Sequence, residues 1–163
     1  MRNTIYFSKI NPNATTPNKR EEDMAMDVYA CFEEDRMVIP PHSTKLIPTG
    51  ICSAFDKKWG ISLRERGSTG SIGMKVSAGQ VDSGYRGEWF VAITNINTIP
   101  ISIDKEVEKT TITEDFIQYP YTKAIAQAKI EEVPVVNIQE IPYDELQEIK
   151  SERGKGRLGS SGK

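Results

Sequence analysis

The amino-acid sequence predicts an all-β fold, a jelly-roll-like sandwich or barrel. Short apolar bursts recur along the chain at close spacing, as strands of such a fold would. Pro-Pro, Pro-Thr-Gly and Asp-Lys-Lys stretches separate them and supply turn chemistry. Helical periodicity is absent until the end of the chain, where Leu146 and Ile149 stand at helical spacing among charges. A chain of 163 residues is long enough for one domain with its own core.

The elements follow in order. Thr4–Phe7 is a short strand candidate, and 11–22, rich in Asn, Thr, Pro and charge, is a loop. Residues 25–30 alternate like a strand. Met37–Ile39, Thr44–Ile47, Ile51–Phe55 and Gly60–Arg64 are further strands. Ile99–Ile103 is another. The segment 104–123 (DKEVEKTTITEDFIQYPYTK) is polar, Thr-rich and aromatic, and reads as an inserted hairpin or excursion. Val133–Ile138 is the last strand candidate. A short helix is expected within 140–152, and 153–163 is a basic Gly/Ser arm expected to be flexible. The whole chain, 1–163, is thus one domain with a β core over 1–139.

The formal net charge of −2 gives no global attraction to nucleic acid or to a membrane surface. The amino terminus carries no apolar run long enough for a signal peptide or a span, so the expectation is a soluble, cytoplasmic protein. Cys31 and Cys52 stand apart, without disulfide or metal spacing. His42, the one histidine, lies in a Pro-Pro-His-Ser loop and builds no His-based metal cluster.

Two stretches have the residue types of a site. Residues 77–95 (SAGQVDSGYRGEWFVAITN) have the grammar of a hairpin, with one arm ending at Val81 and the return strand at 89–94. Asp82, Tyr85 and Arg86 bring acid, ring and cation to one turn, and Gly79, Gly84 and Gly87 permit tight turning or close approach. An Asp here is also a common partner of local N–H groups in an Asx-turn. The second stretch, 64–71, follows a strand with arginine, glycine and hydroxyls. Backbone N–H groups, a Ser hydroxyl and a guanidinium converge well on anionic oxygens, although Gly-Ser-Thr runs are mostly plain loops.

Five motifs in order resemble those of the trimeric dUTPase family, and together they span Ala25 to Gly162. GQVDSGYRGE resembles its third motif, Gly-x-Ile/Val-Asp-x-x-Tyr-x-Gly. Residues 25–30 resemble the first, Ala-Gly-Tyr-Asp-Leu-Tyr-Ala, which makes Asp27 the acid near the metal-bound phosphates. Arg66-Gly67-Ser68 resembles the second, Pro-Arg-Ser-Gly/Ser, with Glu65 in the proline position and Gly67 in that of the first serine. Ser68 then offers the hydroxyl, and Arg64 is a rival for the arginine role. Ile125-Ala126-Gln127 matches the second half of the fourth motif, Gly-Asp-Arg-Ile-Ala-Gln. The tail from Arg153 resembles the fifth, Arg-Gly-x-Gly-Gly-Phe-Gly-Ser-Thr-Gly, with Arg157 for one glycine and Leu158 for the phenylalanine.

The resemblance implies a homotrimer whose sites draw motifs from three subunits, and hydrolysis of dUTP to dUMP and pyrophosphate with Mg²⁺ carried by the triphosphate rather than by direct protein ligands. Asp82 would activate the water. Gly79, Gln80, Val81, Tyr85, Phe90 and Leu158 would bind base and sugar. Arg66, Gly67, Ser68, Gln127, Arg153, Gly159, Ser160 and Ser161 would bind phosphate. Two alternatives stand beside it. One is a dCTP deaminase of the same fold, which needs a glutamate where this chain has Ala92. The other is a dUTPase-like regulatory protein that holds a protein partner through 104–123.

Overall fold

The computed structural model describes residues 3–156. Strands dominate it. They are β1 (Tyr6–Lys9), β2 (Ala25–Val28), β3 (Arg36–Ile39), β4 (Thr44–Pro48), β5 (Ile51–Ala54), β6 (Trp59–Arg64), β7 (Met74–Ser77), β8 (Gln80–Val81), β9 (Phe90–Asn95), β10 (Ile101–Asp104), β11 (Thr111–Ile112), β12 (Ile117–Pro120) and β13 (Ala126–Glu132). One helical turn, α1 (Gly67–Gly70), and one short helix, α2 (Tyr143–Glu148), complete the described elements.

The strands form four small sheets, in the orders β1-β5, β11-β12-β10-β3, β2-β13-β6-β8 and β4-β9-β7. Each alternates faces. In β2, Met26 and Val28 are buried while Asp27 points to the other side. Ile39, Ile47, Ile51, Ile93, Ile101, Ile103 and Trp89 close the core between the sheets. The Trp89 indole meets Phe7 edge-on at 5.4 Å and donates to the Ser53 hydroxyl at 3.1 Å, so its one polar atom is satisfied in the interior. Asn95, fully buried, donates to the carbonyls of Ile39 and Ile99 at 3.0 and 2.9 Å and ties two sheets together.

Three expectations need correcting. The arms of the 77–95 hairpin are not Ser77–Val81 and Trp89–Thr94. β9 pairs with β7, Ser77 facing Ala92, and residues 78–89 leave that ladder so that β8 can pair with β6. Gly79 permits this pairing, because its backbone lies against Leu63. A Cβ at Gly79 would meet the Leu63 carbonyl oxygen at 2.5 Å, so only glycine allows this approach. Second, the last described strand is β13, not Val133–Ile138. Residues 133–142 carry no ladder among the described residues, and Val135 and Ile138 are 93% and 91% exposed. Third, the loop after β6 winds into α1, where Thr69 Oγ accepts from the Arg66 N–H at 3.0 Å.

The segment 104–123 folds as β11 and β12, and β12 lies parallel to β10. Ile117 and Tyr119 are core residues, and the Tyr119 hydroxyl donates to the Ala124 carbonyl at 2.7 Å. Packing therefore claims Tyr119, while Ile112 and Phe116 stay exposed.

Candidate active site

Two cavities collect most of the chemistry-bearing residues, and they share no lining residue. The first, about 570 Å³, is built on the sheet β2-β13-β6-β8. In its register Gln127 sits between Asp27 on one side and Arg64 on the other, so the three residues form a row across the sheet. Arg66 reaches in from the start of α1. Its Nε donates to Asp27 Oδ1 at 2.8 Å and its second terminal nitrogen to Oδ2 at 3.3 Å, a two-point ion pair. Its remaining terminal nitrogen lies 3.3 Å from Ser68 Oγ. Gln127 donates to the Glu65 carbonyl at 2.7 Å, which fixes the turn on which Arg66 and Ser68 sit.

Asp27, Arg66, Gly67, Ser68 and Gln127 all line this cavity, and Arg64 does not. Glu65 has a separate task. Its carboxylate accepts from Lys75 Nζ at 2.7 Å and from the Val76 N–H at 3.1 Å, clasping the turn to β7. The Lys75 ammonium holds the Glu65 carboxyl below its ordinary range. Among the described residues no group of three His, Cys, Asp or Glu stands where it could hold a metal ion.

The second cavity, about 250 Å³, is lined by Gln80, Val81, Asp82, Tyr85 and Phe90, together with Leu46, Leu63, Ala78, Glu88, Trp89 and Ala92. Asp82 opens a turn closed by the Tyr85 N–H donating to its carbonyl at 3.1 Å. The Asp82 carboxylate itself is exposed and makes no hydrogen bond or ion pair among the described residues, so it is not spent in an Asx-turn. Tyr85 is held instead. Its hydroxyl donates to the Glu88 carbonyl at 2.9 Å. Arg86 braces the turn from behind by donating to the Ser83, Tyr85 and Ser53 carbonyls at 2.6, 3.0 and 3.4 Å. Glu88 accepts from the Gly50 N–H at 2.8 Å and holds the far end.

Gly79 does not line the second cavity, and its carbonyl accepts from the Leu63 N–H. Arg153 lies outside both cavities. Its Nε donates to the Gly156 carbonyl at 3.1 Å within the tail. Leu158, Gly159, Ser160 and Ser161 fall outside the described residues. Sequence reasoning missed Leu46 and weighed Ala92 only as the place of a deaminase glutamate; the two face each other across β4 and β9 and both line the cavity. It also missed Lys19, Arg20 and Asp23 on the wall of the first cavity, in a polar loop with no periodic signal.

No protein-family profile matches the chain. It is 32% identical to the deoxyuridine 5′-triphosphate nucleotidohydrolase of Clostridioides difficile over 162 residues, 97% of each protein. Among solved structures it resembles a variant of the Staphylococcus bacteriophage 80alpha dUTPase with dUpNHpp, at a TM-score of 0.75, 20% identity and 99% coverage of both chains. A variant of the dUTPase from phage phi11 of S. aureus, described as coordinating a structural Mg(II) ion, superposes with a TM-score of 0.66 at 16% identity. That match covers 85% of this chain and 97% of the other.

Proposed function

This chain belongs to the deoxyuridine 5′-triphosphate nucleotidohydrolase (dUTPase) family, and from that premise we propose that it hydrolyses dUTP to dUMP and pyrophosphate. The observation that carries the reading is the free Asp82 carboxylate, held by a braced turn in a cavity it shares with Tyr85. An uncommitted, solvent-accessible carboxylate is suited to take a proton from water. In the reaction, the water oxygen bonds to the α-phosphorus, its proton passes to Asp82, and the bond from that phosphorus to the pyrophosphate oxygen breaks.

Asp27, Arg66, Ser68 and Gln127 would receive the phosphates. Arg66 supplies a guanidinium fork, and the first turn of α1 adds N–H groups from Gly67 and Ser68. The site also fits Mg²⁺ held by triphosphate and water. Both Asp27 oxygens are engaged by Arg66, so Asp27 would help hold the hydrated ion through water rather than as a direct ligand. When bound, the ion would offset charge on the phosphate oxygens.

For the base, β8 is the edge strand of its sheet. One side pairs with β6, the other has no partner strand among the described residues, and Gln80 and Val81 both line the cavity. Such an edge matches the donors and acceptors of uracil and leaves those of cytosine unpaired. Tyr85, anchored on Glu88, would lie against the deoxyribose and leave no room for a 2′-hydroxyl.

The two cavities of one chain are separate, which supports a site assembled between subunits of a homotrimer. Arg153 and the tail residues Leu158, Gly159, Ser160 and Ser161 are proposed to reach a neighbour's nucleotide. The unpaired cysteines, Cys31 buried and Cys52 half-buried, fit a reducing cytoplasm. Ile112 and Phe116, exposed on 104–123, support that segment as the surface for a protein partner.

The dCTP deaminase alternative lacks its base. Ala92 is buried at the position that needs a glutamate, and Glu88 is tied to Gly50. Pyrophosphate release from dUTP, UTP, dTTP and dCTP tests the proposal. It requires dUTP alone to turn over well, and ammonia released from dCTP would overturn it.

A further inference from the structure

The wall of the phosphate cavity includes a segment that none of the five motifs covers. Asn18, Lys19, Arg20, Asp23 and Met24 line the same space as Asp27, Arg66 and Ser68. The segment is stapled into shape by Lys19. Its ammonium donates to the carbonyls of Arg20, Glu21 and Asp23 at 2.9, 3.1 and 2.7 Å, so all three donors are used within one loop. The Asp27 N–H donates to the Asn18 carbonyl at 3.2 Å and ties the loop to β2 at the residue that pairs with Arg66. The shape of this loop therefore has two supports that do not involve the Arg20 side chain.

Arg20 is mounted on that frame. Its Nε and a terminal nitrogen grip the two Asp23 oxygens at 3.0 and 2.9 Å, while its side chain remains 88% exposed. Exposed pairs of this kind exchange partners readily. The guanidinium also feels the Asp27 charge in addition to the nearer Asp23, and both hold it charged. Three cations (Lys19, Arg20, Arg66) against two carboxylates (Asp23, Asp27) give the cavity wall a formal charge of 3 − 2 = +1.

We propose that Arg20 is a phosphate-binding residue, passed from the Asp23 carboxylate to the outer phosphates when the triphosphate enters. The idea rests on the assignment of dUTP as substrate. A phosphate oxygen cluster offers the fork the same two-point geometry as Asp23 with more negative charge. Asp23 thus acts as a competitor that parks the arginine in the empty site. Removing the arginine weakens triphosphate binding. Removing the competitor's charge strengthens it.

The test compares the wild type with Arg20→Ala and Asp23→Asn. Calorimetric affinities are measured for dUMP and for the α,β-imido analogue of dUTP, both with Mg²⁺, beside a melting curve for each variant. Arg20→Ala should weaken the analogue roughly tenfold and leave dUMP nearly unchanged. Asp23→Asn should tighten the analogue. If the pair only shapes the loop, both variants lose affinity together, and that result overturns the proposal. An analogue affinity that ignores Arg20→Ala also overturns it. A wild type that binds no analogue at all removes the substrate assignment itself, a distinct failure.

Discussion

The Tyr85 ring lies over Gly87. A Cβ at residue 87 would meet the Tyr85 hydroxyl oxygen at 2.5 Å and the ring carbon that bears it at 2.7 Å. The ring is the exposed end of a side chain, so Gly87→Ala should displace it rather than unfold the turn. Displacement would break its bond to the Glu88 carbonyl and open space at the sugar. The expected result is a fall in the preference for dUTP over UTP by roughly tenfold, read as the ratio of kcat/KM values. An unchanged ratio would remove Tyr85 from sugar selection.

On the proposed assignment of Asp82 as general base, Asp82→Asn keeps the shape and removes the base. Because the carboxylate has no partner among the described residues, the melting temperature should hardly move. Turnover should fall by about 10²- to 10⁴-fold, the usual scale for losing a general base. The substrate analogue should still bind. A variant that loses binding as completely as turnover would recast Asp82 as a binding residue.

The candidate residues that the sequence marked and the structure brings together are those where chemistry restricts the residue type. Asp82 and Tyr85 share one cavity, and Asp27, Arg66, Ser68 and Gln127 share the other. Local patterning could not show which strand each stretch would pair with. Gln80 and Val81 lie next to the turn of an evident hairpin, yet their partners are Ser62 and Ile61, a pairing permitted by the approach of Gly79 to Leu63. Ala126–Glu132 mixes alanines with charge and hides a central strand, whereas Val133–Ile138 looks like a strand and joins no ladder among the described residues. The Lys19 loop carries no periodicity, and its shape emerges only from three carbonyls that converge on one ammonium.

The Glu65–Lys75 clasp has a pH signature. The folded Glu65 carboxyl titrates below its unfolded value of 4.5, chiefly because Lys75 favours the charged form. Its contribution is therefore complete above that value and is lost as pH falls through the lower, folded one. Glu65→Gln should cost about 1 kcal/mol at neutral pH, a scale set by a partly exposed pair. The difference in urea midpoint between wild type and variant should hold constant down to about pH 5 and fade below pH 4.5. A difference that survives to pH 3 would assign the effect to packing rather than charge.

The exposed run after β13 bears on assembly. The Val133 N–H donates to the Lys58 carbonyl at 2.7 Å, and beyond that tie Val135, Val136 and Ile138 stand in solvent. Burying one such side chain is worth about 1.5–3 kcal/mol, so a neighbouring subunit that covers them gains appreciably. The wild type should sediment as a trimer, and Val135→Asp combined with Ile138→Asp should shift it toward monomer. Hydrolysis should disappear with the trimer, because Asp82 and Arg66 line separate cavities of one chain. Sedimentation velocity and pyrophosphate release on the same samples check both halves. A monomer that still cleaves dUTP at the wild-type rate would mean that one chain completes the site alone.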